Sequence, residues 1–210
     1  DFAAKCAAHF AKTTDITQYS TADAIIDLDL ARPAIGADNI NLVGISYGTR
    51  VAQQYAKKFP NSTRTVTIDG IAPMDLVLGQ EHAKNLESSL DLQFARCSQD
   101  KKCKEKMGDP RAQLNQLLTT LSKGPIPVHY RDALTGEWKD GEFSTGHIAM
   151  LTRMLAYAPQ AAALLPLQFS EANKGHAESL MALSEMVGKD ISDMIMHGMQ
   201  LSVMCSEDVD

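Results

Sequence analysis

The sequence has no long hydrophobic run, no repeat and no excess of basic residues. No apolar stretch approaches the ~18 residues that a membrane-spanning helix needs, and glycine and proline follow no period. The 20 Lys and Arg residues are outnumbered by 26 Asp and Glu residues, which gives a net charge of −6. We therefore expect neither nucleic acid nor a membrane as a partner. With 210 residues, 44% of them hydrophobic, the composition is typical of a globular domain with a buried core.

Motifs for common cofactors and metals are absent as well. The sequence contains neither the phosphate loop G-x-x-x-x-G-K-[ST] nor the dinucleotide fingerprint G-x-G-x-x-G. The four cysteines form no C-x-x-C pair and have no histidines at zinc-finger spacing. We expect no metal and no cofactor.

The cysteines instead raise the question of a disulfide. Cys97 and Cys103 flank a polar loop, SQDKK, of a length that a disulfide can close. They form either a bridge or two free thiols, and a bridge would indicate an oxidising compartment, so that the protein would be secreted or periplasmic. Cys6 and Cys205 are candidates for pairing with each other or with cysteines outside this chain.

Both ends of the sequence suggest a piece of a longer protein. Position 1 is Asp rather than Met, and Phe2, Cys6 and Phe10 already have helical spacing. The last residues, SVMCSEDVD, follow a strand-like run with no obvious closing element.

A strand–helix–strand unit is predicted between residues 38 and 70. NINLVGI is a continuous apolar run typical of a strand buried on both faces, SYGTRVAQQYAKKFP has helical spacing, and RTVTIDG predicts a second buried strand. Such a connection implies a parallel sheet. A helix over residues 20–36 precedes it, with Ser20 and Asp23 as a capping box, Pro33 kinking or shortening its last turn and Gly36 at its end.

Helical patterns dominate beyond Pro73, over residues 80–122 and 145–203. Between them, IPVHYRDALTGEWKDGEFS alternates around TG and DG turns, which predicts one or two short hairpin strands. All ten methionines lie in this part and suit either a substrate-facing lid or plain core packing. We predict a partial core over 1–75, a helical lid over 76–200 and a return segment over 201–210.

The most informative string is NLVGISYGTR. A buried strand runs into Gly44-Ile45-Ser46-Tyr47-Gly48, and a helix starts at once. In a nucleophile elbow the serine occupies a strained turn between strand and helix, and flanking glycines avoid a collision with neighbouring backbone. Ser46 is the predicted nucleophile, and the backbone N–H of Tyr47 is a predicted oxyanion donor. Alternatively, Gly44 and Gly48 merely form a tight turn.

These residues resemble a known family. TADAIIDLD, GISYGTR and VTIDG match the pattern of the secreted prolyl and tripeptidyl aminopeptidases, which are proline-iminopeptidase-like serine peptidases of the α/β-hydrolase fold. The resemblance is close over residues 20–73 and looser over the rest, where SVMCSED resembles the segment that follows the family's lid. It implies an α/β fold with a partial α/β-hydrolase parallel sheet, a mainly helical lid and cleavage near a peptide's N-terminus.

The same resemblance places the catalytic acid and histidine after the lid, beyond Asp210, so only the nucleophile can be assigned. His176 follows a glycine, as the family's catalytic histidine does, but lies inside the predicted lid. The other histidines are expected to be surface or lid residues: His9, His82, His129, His147 and His197. Asp69 is expected to turn the chain beside Gly70.

An aminopeptidase must also hold the free ammonium of its substrate with a carboxylate, because an unpaired buried cation is costly. Glu207 and Asp208 are candidates, although solvated acids near a chain end are the simpler interpretation. The leading hypothesis is a serine hydrolase that acts on a peptide. A small ester substrate, or a non-catalytic module of the same fold, remains the alternative.

Overall fold

The computed structural model describes residues 2–208, with the backbone alone at residues 2, 3 and 190–194. Contacts divide this chain into two units. The first extends to Gln80 and resumes at Met196, and the second comprises Glu81–Ile195.

Eleven helices and four strands follow one another along the described residues. In chain order they are α1 (Phe2–Phe10), α2 (Thr21–Ala34), β1 (Ile40–Ile45), α3 (Tyr47–Lys58), β2 (Thr63–Asp69), α4 (His82–Gln99), α5 (Lys101–Met107), α6 (Pro110–Leu121), β3 (Ile126–Arg131), β4 (Trp138–Phe143), α7 (Thr145–Leu155), α8 (Pro159–Ala162), α9 (Leu165–Asn173), α10 (Glu178–Met194) and α11 (His197–Glu207).

The first unit contains the predicted strand–helix–strand arrangement. Strands β1 and β2 are parallel, with Leu42 opposite Val66, and α3 connects them. This confirms the α/β fold with a small parallel sheet. Helix α2 packs on α3, where the Tyr55 hydroxyl donates to Asp29 at 2.7 Å.

Helix α2 begins and ends as its sequence predicts. The Asp23 N–H donates to the Ser20 hydroxyl at 3.2 Å, and the Ser20 N–H donates to the Asp23 carboxylate at 3.2 Å, which completes the capping box. Gly36 has a φ of 74° just beyond the helix. Pro33 lies in the last turn, and the helix ends one residue later.

The prediction that both strands are buried on both faces is wrong for the described chain. Leu42 packs with Ile25, Ala52 and Tyr55 on the face covered by α2 and α3. On the other face, Val43 is 73% exposed and Ile45 is 65% exposed. Val66 in β2 lies opposite Leu42, on the covered face, and is still 40% exposed. The apolar run therefore has one buried face, because the described helices of this unit cover a single side of the sheet.

The second unit is mainly helical, as predicted, and contains an antiparallel hairpin of β3 and β4. Thr135-Gly136 lies at its turn, but Asp140-Gly141 lies inside β4 and forms no turn. The reason is strand pairing, because Asp140 lies opposite His129 and Gly141 opposite Val128 in the antiparallel ladder. A Cβ at Gly141 would lie 3.2 Å from the Tyr130 ring and 2.8 Å from the Met181 Cε atom, the flexible end of a side chain.

Cys97 and Cys103 form a disulfide with their Cα atoms 5.2 Å apart, which confirms the predicted bridge. The segment between them is not a loop, however. Cys97 lies in the last turns of α4, and Asp100 caps α5 by accepting from the Cys103 N–H at 2.7 Å. Cys6 and Cys205 are free thiols on α1 and α11, two helices that contact each other.

The predicted return segment over 201–210 begins within α11, so the strand-like run that we expected before SVMCSEDVD is helical. Its last two residues, 209 and 210, lie outside the described residues. None of the helices in residues 2–208 is long and apolar enough to cross a membrane.

Candidate active site

Ser46 occupies a strained turn between β1 and α3. Its φ of 55° and ψ of −123° make it the one non-glycine residue with positive φ in the described chain. Three hydrogen bonds hold this backbone. The Ser46 N–H donates to the Asp69 carbonyl at 2.9 Å, while the Ser46 carbonyl accepts from the Thr49 N–H at 3.0 Å and the Thr49 hydroxyl at 2.6 Å. The serine is exposed at the tip of the turn.

The residue after Ser46 leaves a donor beside it. Tyr47 is the first residue of α3, so its N–H has no partner within the helix, and no acceptor for it occurs among the described residues. The Ser46 side chain makes no capping bond either. A negative oxygen that develops near Ser46 would meet this N–H at the positive end of the helix dipole.

The two glycines around Ser46 differ in what they do. A Cβ at Gly44 would lie 2.7 Å from the Gly48 carbonyl carbon and 2.9 Å from the Thr49 Cα atom, so the close approach of strand and helix requires glycine there. The same reason does not apply to Gly48. A Cβ at that position would meet no described atom within 4 Å. Gly48 takes part in the contact with Gly44 through its backbone atoms.

Side chains of α3 fasten the segment that follows β2. The Ala72 N–H donates to the buried Thr49 hydroxyl at 2.8 Å, and the Gln53 amide donates to the Ala72 carbonyl at 3.2 Å. The Arg50 guanidinium donates to the Leu76 carbonyl. The helix that begins at Ser46 is therefore tied to the chain leaving the sheet.

Arg50 is the centre of a buried ion pair. It is 2% exposed, and its Nη1 donates to both carboxylate oxygens of Asp208, at 3.0 and 3.3 Å. Asp208 also accepts from the Leu78 N–H at 3.1 Å. A Glu207 oxygen lies 3.8 Å from the same Arg50 nitrogen. Two carboxylates thus face one guanidinium, which leaves an excess of one negative charge in this cluster.

Glu207 also binds the beginning of α2. The Thr21 N–H donates to one carboxylate oxygen, and the Thr21 hydroxyl donates to the other at 2.8 Å. The Thr21 hydroxyl is hydrogen-bonded to the Tyr47 phenol in turn. Burial raises the pKa of the Tyr47 phenol, which therefore keeps its proton at neutral pH.

The two candidates for an ammonium site have different surroundings. The Asp208 side chain is 2% exposed and is engaged by Arg50 and Leu78, whereas the Glu207 side chain is 17% exposed. Glu207 is thus the carboxylate of the two that retains an accessible edge.

The histidines and Asp69 are dispersed. His9 and His197 belong to the first unit, and the other four histidines lie in the second. No hydrogen bond to the Ser46 hydroxyl occurs among residues 2–208. Asp69 contributes its carbonyl to Ser46, and the chain turns at Gly70, which has a φ of 64°. No group of three or more potential metal ligands is found among the described side chains.

Sequence reasoning missed three side chains of this site: Thr21, Thr49 and Arg50. All three are buried polar residues. Thr49 and Arg50 stand directly after the glycine of GISYGTR, which was the available signal. The partner of Arg50 is 158 residues away in the sequence, so no local pattern indicates the pair.

A strained serine between a parallel strand and a helix, with a free N–H on the next residue, is the geometry of the nucleophile elbow in α/β-hydrolase folds. The family comparison agrees. The model of the alpha/beta hydrolase fold family matches residues 3–108, and the chain belongs to that family.

Individual relatives are distant. The chain is 31% identical over 113 residues to YuaR of Escherichia coli (strain K12), which covers 50% of this chain and 22% of that protein. It is 28% identical over 180 residues to the serine protease Hip1 of Mycobacterium tuberculosis (strain ATCC 25618 / H37Rv), which covers 81% of this chain. The chain spans 34% of Hip1, so it corresponds to about a third of one relative and less than a quarter of the other.

Proposed function

We propose that this chain supplies the nucleophile of a serine hydrolase that cleaves peptides. The observation that carries the proposal is the backbone of Ser46, which is held at positive φ between β1 and α3 beside the Tyr47 N–H, a donor with no acceptor among residues 2–208. Similarity to the serine protease Hip1 over 81% of the chain favours a peptide over other acyl substrates.

The proposed reaction is acyl transfer. The Ser46 oxygen attacks the substrate carbonyl, its proton passes to a histidine outside residues 2–208, and the Tyr47 N–H stabilises the tetrahedral oxyanion. The histidine then returns the proton to the leaving amine, so that an acyl-enzyme and a free amine form. Water then attacks the acyl carbon and gives a proton to the histidine. The bond between that carbon and the Ser46 oxygen breaks, the carboxylic acid leaves, and the histidine returns the proton to the Ser46 oxygen.

A fluorophosphonate probe tests the nucleophile. We expect the full-length protein to gain one probe mass, and Ser46→Ala to gain none. Ser122→Ala is the matched control, because Ser122 is an exposed serine at the end of α6. Labelling that persists in Ser46→Ala would contradict the assignment.

Peptidase and esterase activity are separated by an amide and an ester with the same acyl group. We expect measurable turnover of the amide. Rapid ester cleavage with no detectable amide cleavage would instead support an esterase of the same fold.

Within this activity we propose an exopeptidase of the proline iminopeptidase and tripeptidyl aminopeptidase type. Glu207 would hold the substrate's free ammonium, because it carries the cluster's excess negative charge and keeps an accessible edge. Asp208 is less suited, since an ammonium would have to compete with the buried Arg50.

The ammonium site is tested with paired substrates that carry a free or an acetylated N-terminus. We expect Glu207→Gln to reduce kcat/KM for the free substrate at least about tenfold more than for the acetylated one. Glu105→Gln, at an exposed glutamate of α5, is the control. An equal loss on both substrates would exclude Glu207 as the ammonium ligand.

Two further parts of the proposal concern the whole protein. The helical residues between 76 and 200 would form a lid over the site. The Cys97–Cys103 disulfide favours a secreted or periplasmic location, where such bridges persist.

A further inference from the structure

We propose that Thr21 is a positioning residue of the candidate active site. It fixes the Tyr47 side chain and, through it, the backbone N–H that faces the oxyanion. This inference rests on the proposed function, since it assigns a residue that serves the same site.

The argument begins with the direction of the hydrogen bonds. A threonine hydroxyl has one proton, and the Thr21 hydroxyl lies 2.8 Å from the Glu207 carboxylate, which can only accept. The Thr21 oxygen must therefore accept from the Tyr47 phenol. Because burial raises the pKa of that phenol, it keeps the proton it donates. The Tyr47 phenol therefore donates to the Thr21 hydroxyl, which in turn donates to the Glu207 carboxylate.

The position of Thr21 is itself fixed by its surroundings. It is fully buried, its N–H donates to the second oxygen of Glu207, and it follows the Ser20 cap as the first residue of α2. Glu207 is the last residue of α11. The Tyr47 phenol is thus anchored to two helices that are remote in sequence from the elbow.

Tyr47 is consequently fixed at both ends. Its backbone begins α3 directly after Ser46, and its phenol is bound to Thr21. The bond limits rotation of the first turn of α3, on which the direction of the Tyr47 N–H depends. A donor aimed in advance at the oxyanion stabilises the transition state more than the bound substrate, so its loss appears in kcat.

The arrangement also gives one physical reason for three separate sequence motifs. Thr21 begins TADAIIDLD, Tyr47 belongs to GISYGTR and Glu207 to SVMCSED. The hydrogen-bonded series Tyr47, Thr21 and Glu207 brings one residue of each together.

The test compares Thr21→Val, which keeps the shape but removes the hydroxyl, with Thr21→Ser, which restores it. Rates are divided by the number of sites titrated with the fluorophosphonate probe, so misfolded protein does not count. We expect Thr21→Val to lower kcat about tenfold with KM changed less than about twofold, and Thr21→Ser to remain within about twofold of the parent.

Two additional comparisons separate positioning from general stability. Thr152→Val is the matched control, because Thr152 is a buried threonine of α7 whose hydroxyl has no partner among the described residues. We expect it to leave kcat unchanged. If Thr21 acts through the phenol, Thr21→Val combined with Tyr47→Phe is no slower than the slower single variant.

The outcomes are distinct. An unchanged kcat per titrated site in Thr21→Val, or losses of Thr21→Val and Tyr47→Phe that multiply, would overturn the positioning role while leaving the proposed function intact. If the parent protein itself fails to label at Ser46, the proposed function fails, and the positioning role fails with it.

Discussion

Each of the two units is stabilised internally by a different kind of interaction. In the helical unit, Glu81–Ile195, seventeen of the described side chains are buried and apolar and form one cluster that includes Phe143, Ile148 and Phe169. In the unit that carries Ser46, the buried apolar cluster among the described residues has four members: Ile25, Leu42, Ala52 and Tyr55. Buried hydrogen bonds and ion pairs of Thr21, Thr49 and Arg50 supplement it.

The two kinds of interaction differ in how strictly they fix the backbone. Burial of apolar surface is nearly independent of direction, so it stabilises a helical assembly without fixing one backbone angle. Hydrogen bonds are directional. The strained backbone of Ser46, at positive φ, is held by directional bonds of this kind to Asp69 and Thr49.

The largest expected effect is in the apolar unit. Phe169→Ala should cost about 4 kcal/mol of unfolding free energy, because the ring is fully buried and packs edge-on against Phe94. Hydrogen exchange of α6 and α9, two helices in contact, measures this loss. Leu167→Ala on the same helix is the control, since Leu167 is 40% exposed. A loss below about 1 kcal/mol would show that the apolar cluster is not what stabilises this unit.

A slightly smaller effect is expected from the polar unit. Asp208→Ala should cost about 3 kcal/mol, because it removes both short hydrogen bonds of the buried Arg50 Nη1 and leaves that nitrogen only the Glu207 oxygen at 3.8 Å. Faster hydrogen exchange in α3 and in residues 70–80 is the readout. Asp75→Ala, at an exposed acid of the same segment, is expected to change nothing. Equal exchange in the two variants would mean that the ion pair contributes no stability.

The smallest effect distinguishes the two elbow glycines. Gly44→Ala should destabilise β1 and α3 by about 2 kcal/mol, since its Cβ would collide with the backbone of Gly48 and Thr49. Gly48→Ala should shift stability by less than about 1 kcal/mol, because its Cβ meets open space and alanine favours a helix. Denaturant unfolding of both variants measures the difference, and a reversed order would refute the steric account.

Sequence patterns were sufficient where the determining contacts are local. The Ser20 and Asp23 cap involves residues three apart, and the strand, turn and helix around Ser46 are contiguous. The Cys97–Cys103 disulfide likewise joins residues six apart. For residues this close in the sequence, the spacing along the chain largely determines the distance between them.

Patterns failed where burial depends on distant neighbours. The apolar run of β1 predicts two buried faces, yet Val43 and Ile45 are exposed, since α2 and α3 pack on the face that carries Leu42. Asp140-Gly141 has turn chemistry, but its pairing with His129 and Val128 on β3 keeps it in the strand. Arg50 would be called a surface residue from composition alone, and only its pairing with Asp208 explains its burial.

The bond between the Leu78 N–H and Asp208 bears on where the chain can change in length. It joins the stretch just before the helical unit to the stretch that follows it, and the other anchors of Asp208 also lie outside Glu81–Ile195. An insertion or deletion inside the helical unit would therefore leave the described partners of Asp208 in place. The closing bond depends on the two stretches that flank this unit and not on the number of residues between them.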